Sequence, residues 1–236
     1  MEGFSIGPIF IIGIAFMIIG MIVSSILKRK FKKYSEQPMA SGMSGKEVVE
    51  KMLADHNIHD VKVLCVPGKL TDHYNPMDKT INLSEAVYNG RNTASTAVAA
   101  HECGHAVQHA TSYNMLELRS KLVPLQNVSG KIINFIVMIS IFGGAFLYNS
   151  FPMDTVLYVV IGAYSVMTLF TLVTLPVEFD ASKRALVWIR NNGIVTPSEY
   201  EESKDALSWA AMTYVVAALG AIVTLLYYVS LLMGRD

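Results

Sequence analysis

The chain has little charge and little cysteine. Of its 236 residues 16% are charged, and 19 basic residues balance 19 acidic ones, so the formal net charge is zero. This balance argues against the broad basic surface of a nucleic-acid-binding protein, and the sequence shows no nucleic-acid-binding motif. It also contains no internal repeat, low-complexity tract or phosphate-binding glycine loop. No nucleic-acid partner is therefore expected.

Apolar residues, by contrast, are abundant. They make up 52% of the chain, and the mean hydropathy is positive, which predicts a membrane protein. Each of four apolar stretches is near the roughly 20 residues that a spanning helix needs. These stretches are residues 7–27, 132–148, 156–175 and 210–233. The second is short and contains Asn134 and Gly143-Gly144, which leaves a re-entrant segment open, but a turn at 149–154 favours a helical hairpin.

Basic residues predict the orientation of these spans. The first stretch is longer than a signal-peptide core and no basic residue precedes it, so an uncleaved anchor is expected. Five basic residues at 28–33 place residues 28–131 in the cytoplasm and the N-terminus outside. The loop 149–154 has no Lys or Arg and is expected outside, whereas 176–208 has four and is expected inside. The C-terminus then also lies outside.

A metal-binding motif occurs between the first two spans. His101 and His105 are separated by one helical turn, so both imidazoles can hold one Zn²⁺ ion from the same helix face. Glu102 lies beside them, within reach of a water molecule on the metal. The alanine-rich run Thr93–Ala110 predicts the required helix, with Asn92 as a capping residue.

A third ligand is expected just beyond the third span. Catalytic zinc sites commonly use three protein ligands and leave a fourth position for water. Glu178 and Asp180 follow the apolar stretch and are the obvious candidates, although both would also suit the polar end of a membrane helix. His109 lies one turn beyond His105, and a straight helix cannot bring three successive turns to one ion.

Three further residues are candidates for stabilising an oxyanion or contacting a substrate. His73 and Tyr74 belong to a polar loop that could fold over the metal, and the alternative is simple turn chemistry. Arg184 follows Glu178 by six residues, and it would also serve as a cytoplasmic anchor after a span.

The cytoplasmic segment upstream of the metal motif predicts a small α+β layer. Ser44 and Glu47 form a capping box for a helix that ends near His56. Strands are predicted at 61–66 and 80–83. The second could offer an edge for an extended substrate, by analogy with zinc proteases, or be paired on both sides.

Both cysteines fall on the predicted reducing side. A disulfide between Cys65 and Cys103 is therefore not expected. Cys103 lies between the histidines and could be a redox-sensitive thiol or a soft extra ligand, but we favour a buried small hydrophobic residue.

Nearly the whole chain resembles a known family. The segments HECGHAVQH, LTDHYNPMDKTINLSEAVY and LPVEFDASKRAL are similar to the YugP-type bacterial membrane zinc metallopeptidases, also described as neutral zinc metallopeptidases. The resemblance implies a gluzincin-like site, with His101, His105 and Glu178 on zinc and Glu102 as general base.

A more distant resemblance is to the HtpX and Ste24 membrane proteases. Their third ligand lies in a Glu-aromatic-x-Ala-Asp motif, and this chain has Glu178-Phe179-Asp180-Ala181-Ser182. Ser182 occupies the usual aspartate place, while Asp180 is two positions early. Asp180 is therefore expected either to orient a histidine or to be the ligand in place of Glu178.

The sequence thus predicts a mainly α membrane protein with about four transmembrane helices and a small cytoplasmic α+β zinc-protease module. Its function is predicted as a zinc metalloendopeptidase of the bacterial cell membrane, with one catalytic Zn²⁺, a peptide or protein substrate and contact with membrane lipid. The predicted segments are an anchor at 1–27, the metalloprotease module at 28–131, a transmembrane hairpin at 132–175, a cytoplasmic helical segment with the third ligand at 176–209 and a last span at 210–236.

Two alternative functions are left open. One is a zinc-stabilised membrane adaptor or quality-control partner that cleaves nothing, although Glu102 would be superfluous there. The other is an intramembrane, site-2-type metalloprotease, which the polar content of residues 93–110 disfavours. The sequence does not indicate an oligomeric state.

Overall fold

The computed structural model describes residues 7–143 and 150–234. Four of its helices are long and apolar enough to cross a membrane, and the strands form one small sheet, so the protein is a mainly α membrane protein as predicted. The helices are α1 (Gly7–Ser35), α2 (Gly45–Asp55), α3 (Glu85–Tyr88), α4 (Thr93–Ala110), α5 (Asn114–Phe142), α6 (Met153–Asn191) and α7 (Pro197–Met233). The strands are β1 (Lys62–Val66), β2 (His73–Asn75) and β3 (Thr80–Ser84).

The long helices extend well beyond the predicted spans. The largest difference is at Pro176, where we expected the third span to end and a separate helical segment to follow, but α6 continues through it to Asn191. This expectation was wrong because the proline removes only one backbone hydrogen bond. The fully buried stripe Val177, Ala181 and Ala185 repeats every four residues and stabilises the next turns by packing.

Local residues also explain where α6 ends and α7 begins. Thr196 and Glu199 cap the start of α7, since the backbone N–H of Thr196 donates to the Glu199 carboxylate at 2.6 Å. Gly193, just after α6, has a φ of +63°, as expected where a helix ends. Gly144, Asn149 and Arg235, which entered the predictions for the hairpin and the C-terminus, lie outside the described residues.

The chain forms two compact units. The first comprises the described residues within 1–21, 118–174 and 214–236, and the second comprises residues 22–117 and 175–213. Within the first unit, Ile133, Val160 and Ala163 form a small buried apolar cluster. Tyr164 stacks on Tyr228 with ring centroids 5.3 Å apart. These contacts join segments from three of the long helices.

The second unit has a larger core built around α2 and α4. The predicted capping box begins α2, because the N–H of Ser44 donates to Glu47 at 2.7 Å and the N–H of Glu47 donates back to the Ser44 hydroxyl at 3.3 Å. The apolar face of α2 is buried and belongs to the same core as residues of β3, α4 and α6. That face consists of Val48, Val49, Met52 and Leu53.

The sheet has the order β1-β3-β2. Strand β3 pairs in parallel with β1 and antiparallel with β2, and all five of its residues are buried. The possibility that β3 is a free edge was therefore wrong, and the alternative that it is paired on both sides is confirmed. Sequence reasoning also missed β2, which we treated as a loop. Three residues are too short to show a strand alternation.

Helix α4 begins and ends at the predicted residues. The Asn92 side chain caps it by accepting a hydrogen bond from the N–H of Ser95 at 2.9 Å. Most of its residues are buried, because alanine, glycine, serine and threonine let neighbouring elements approach closely. It is not among the candidate membrane spans found in the described ranges.

Candidate metal centre

Two helices of the second unit bring the three predicted ligands together. One turn of α4 presents His101 and His105, whose rings meet edge to face at a centroid distance of 4.8 Å. Helix α6 supplies Glu178. Its Oε2 atom lies 3.3 Å from Nε2 of His101 and 3.7 Å from Nε2 of His105. His105 and Glu178 are buried, and His101 is slightly more exposed.

The close approach of α4 and α6 depends on Gly104. A Cβ atom at this position would lie 2.5 Å from the backbone carbonyl oxygen of Ala181, a distance that real Cβ atoms essentially never show. Glycine therefore costs helix propensity in α4 but permits the two backbones to touch. Ala181 lies between Glu178 and Ser182, so this contact sets the position of the third ligand.

The charges in this cluster favour a cation. Burial alone would raise the pKa of the Glu178 carboxyl, but the hydrogen bonds and charges of His101 and His105 outweigh it and hold that pKa well below its usual range. For His105, burial alone would lower the pKa of the imidazole. The hydrogen bond with Glu178 and the charges of Glu102 and Glu178 outweigh this effect, so the pKa of His105 is raised. Positive charge is therefore stabilised beside Glu178.

The donor set fits zinc. Ligand atoms of His101, His105 and Glu178 all lie within 4.8 Å of one another. Zinc binds imidazole nitrogen and carboxylate oxygen at roughly 2.0–2.2 Å in tetrahedral geometry, which places ligand atoms about 3.4 Å apart. The observed nitrogen-to-oxygen distances of 3.3 and 3.7 Å agree with this spacing. Within residues 7–143 and 150–234, no other group of three or more such residues is found.

Each histidine has a hydrogen-bond partner on its other ring nitrogen. Nδ1 of His101 lies 3.1 Å from the hydroxyl of Ser182, and Nδ1 of His105 lies 3.0 Å from Oε1 of Gln108. Both Nε2 atoms consequently face Glu178. Ser182 stands where the related motif has aspartate, and it makes the contact to a histidine that we had considered for Asp180.

Asp180 lies outside the ligand group. Its Oδ2 atom accepts hydrogen bonds from Nε2 of Gln108 at 2.9 Å and from Nε of Arg184 at 2.5 Å. The guanidinium of Arg184 also lies over the ring of Tyr113, 5.8 Å from its centroid. Arg184 is thus directed to Asp180, and Asp180 contacts a histidine only through Gln108. Nothing in the sequence pattern had drawn attention to Gln108.

Glu102 is held from the other side by the edge strand β2. Its Oε2 atom accepts a hydrogen bond from the backbone N–H of Tyr74 at 3.0 Å. The Tyr74 hydroxyl lies 2.6 Å from Nδ1 of His109, which is outside the ligand group. The ring of His73 contacts the Thr71 carbonyl and the Asn82 amide. We had considered only the side chain of Tyr74, whereas its main chain reaches the site.

The two cysteines are both free, and they differ in environment. Cys103 is fully buried in the core of the second unit, and burial raises the pKa of its thiol well above the usual range. Cys65 is exposed on β1. Cys103 therefore lies in the environment of a small hydrophobic residue, and it is not part of the ligand group.

Fold and site together define a membrane protein with a buried two-histidine, one-glutamate centre. Residues 9–233 match the family described as "Putative neutral zinc metallopeptidase", and the chain belongs to this family. It is 39% identical over 213 residues to the "Putative membrane protease YugP" of Bacillus subtilis (strain 168), covering 89% of this chain and 90% of that protein. No solved structure matches the chain. The predicted family is thereby confirmed.

The contact at Gly104 leads to a first prediction. Gly104→Ala should displace α6 from α4, because the new methyl group would overlap the Ala181 carbonyl. We expect zinc affinity to fall by at least tenfold and the melting temperature in detergent to decrease. The control is Gly130→Ala in α5, where a Cβ atom meets nothing within 4 Å and alanine favours the helix. Equal zinc affinity in Gly104→Ala and wild type would contradict this explanation.

Proposed function

We propose that the protein is a zinc-dependent endopeptidase that hydrolyses peptide bonds at the cytoplasmic face of the membrane. His101, His105 and Glu178 would hold one zinc ion, and Glu102 would act as the general base. The observation that carries this proposal is the buried ligand group, with a second carboxylate on the adjacent residue of α4. A purely structural zinc site closes its fourth position with a protein ligand and has no use for such a base.

Each residue of the proposed site has its own role in the hydrolysis. Zinc, when bound, supplies a Lewis acid that polarises the substrate carbonyl and lowers the pKa of water. The Glu102 carboxylate takes the proton from the attacking water and passes it to the departing amine. The N–H of Tyr74 orients Glu102 by donating to Oε2, which leaves lone pairs on the carboxylate for that proton.

The edge strand β2 supports an extended peptide as the substrate. One side of β2 pairs with β3. On the other side, the N–H of Tyr74 donates to Glu102, so this free side of the strand lies next to the proposed general base. Addition of a peptide strand to such an edge provides main-chain hydrogen bonds with little side-chain specificity. His73 on the same strand is our candidate for a substrate contact. Arg184 would act on the site through Asp180.

The intramembrane alternative is disfavoured by the surroundings of α4. This helix is packed among α2, α3 and the sheet, and it is not one of the candidate spans in the described chain.

The adaptor alternative shares the zinc site and differs only in catalysis. It is therefore separated by activity measurements on Glu102 variants.

A zinc and activity comparison tests the proposed roles. Glu102→Gln should keep one zinc per chain and lose at least about a hundredfold in cleavage of an unfolded, casein-type substrate, because the base is gone. Glu178→Ala should lose zinc itself. The measurements are metal content and turnover of the protein purified in detergent. Glu117→Gln, an exposed glutamate at the start of α5, is the matched control and should behave as wild type.

Two results would contradict these roles. If Glu178→Ala retained full zinc, Glu178 would not be a ligand. If wild type held zinc and cleaved nothing while partner binding survived Glu102→Gln, the adaptor function would replace the peptidase.

The native cysteines test the cytoplasmic location. Cys65 is exposed and Cys103 is fully buried, so a membrane-impermeant maleimide should label Cys65 alone. We expect labelling in inverted membrane vesicles and none in right-side-out vesicles, because the basic cluster after the first span favours a cytoplasmic location for this unit. Cys65→Ser should abolish the signal. Labelling of right-side-out vesicles would reverse the proposed orientation.

A further inference from the structure

We propose that Gln108 is a positioning residue that fixes the ring orientation and proton position of His105 and ties this ligand to the helix that carries Glu178. The inference rests on the proposed zinc site. Gln108 is fully buried on α4, one turn beyond His105, and none of the predicted roles used it.

The hydrogen bonds of Gln108 leave only one orientation for its amide. A glutamine amide has two N–H donors on nitrogen and an acceptor oxygen. Nε2 faces two acceptors, the backbone carbonyl of Val177 at 2.8 Å and the carboxylate of Asp180 at 2.9 Å. Exchanging nitrogen and oxygen would place the amide oxygen against two other oxygens. Both donors are therefore committed, and Oε1 must accept.

This orientation determines the state of His105. The group that faces Oε1 is Nδ1 of His105 at 3.0 Å, and an acceptor requires a proton there. In the neutral ring the other nitrogen, Nε2, then carries the lone pair, and Nε2 is the atom that faces Glu178. Gln108 thus selects the tautomer in which His105 can bind a metal.

The same side chain also connects the two helices of the site. Val177 immediately precedes Glu178, so the hydrogen bond to its carbonyl links His105 to the backbone beside the third ligand. Asp180 fixes the far side of the amide and is itself held by Arg184 at 2.5 Å. The ion pair between Arg184 and Asp180 on α6 therefore supports the hydrogen bond that Gln108 makes with His105. On its Nδ1 side, His101 contacts the same helix directly through the Ser182 hydroxyl, with no side chain in between.

Zinc affinity separates this role from simple packing. Gln108→Leu keeps a similar volume but removes the acceptor, and zinc affinity should fall by about 10- to 100-fold, as is typical when the partner of a metal-binding histidine is lost. The dissociation constant is measured by chelator competition on the full-length protein in detergent, together with the melting temperature of the zinc-free form. Thr96→Val, at another fully buried position of α4, is the control and should leave zinc affinity unchanged.

A rescue variant covers the case in which Gln108→Leu folds poorly. Gln108→Glu combined with Asp180→Asn keeps an acceptor for His105. As a buried neutral acid, the new side chain can donate its O–H to the Val177 carbonyl, and the new amide at position 180 reverses the direction of the second hydrogen bond. This double variant should recover zinc affinity to within roughly tenfold of wild type, and Gln108→Glu alone should bind zinc less tightly than the double variant because two carboxylates would then face each other.

Three results would overturn the inference. Zinc affinity of Gln108→Leu within twofold of wild type would show that the residue only packs. A folded double variant that binds zinc as weakly as Gln108→Leu would show that the acceptor is irrelevant. Wild-type protein that binds no zinc would overturn the proposed function and this inference together, which distinguishes that failure from the first two.

Discussion

The site depends on the backbone contact between α4 and α6 at Gly104 and Ala181. The candidate ligands come from residues far apart in the sequence, and this close contact allows the Glu178 carboxylate to lie within 4 Å of both imidazoles. A side chain at position 104 would overlap the Ala181 carbonyl and push the candidate ligands apart. The small residues of α4 are therefore a requirement of the metal centre as well as of the core.

Burial of polar groups imposes a second constraint. Charged and hydrogen-bonding groups placed in a core destabilise it unless they have partners. Here the partners are arranged in order from the site outwards, through His105, Gln108, Asp180 and Arg184. The two glutamates of the site have different partners. Glu178 faces two imidazoles, whereas Glu102 faces a backbone N–H of the sheet edge. In the proposed mechanism this suits Glu178 to bind the cation and Glu102 to exchange protons.

Local signals made much of the fold predictable. The bounds of α4, the capping box at Ser44 and the turn before α7 all follow from residues close together in the sequence. The continuation of α6 through Pro176 was missed because the packing that stabilises it comes from other elements. The edge strand β2 was missed because three residues carry no periodic pattern.

The candidate site, like the fold, could be predicted only in part from the sequence. One helix face was enough to select His101 and His105, and the adjacent Glu102, from the sequence. Sequence position left both Glu178 and Asp180 open, and only the family resemblance favoured Glu178. Both residues follow the span closely, and the direction of each side chain distinguishes them. Gln108 carried no signal, because a buried glutamine is recognisable only when the groups around it are known.

Zinc-edge X-ray absorption of the purified protein tests the central claim most directly. The proposed ligand set requires one zinc per chain with nitrogen and oxygen neighbours at about 2.0–2.1 Å, outer-shell scattering from two imidazoles and no sulfur. A zinc–sulfur distance of about 2.3 Å would place a cysteine in the coordination sphere and contradict the ligand set. Scattering from fewer than two imidazoles would contradict it equally.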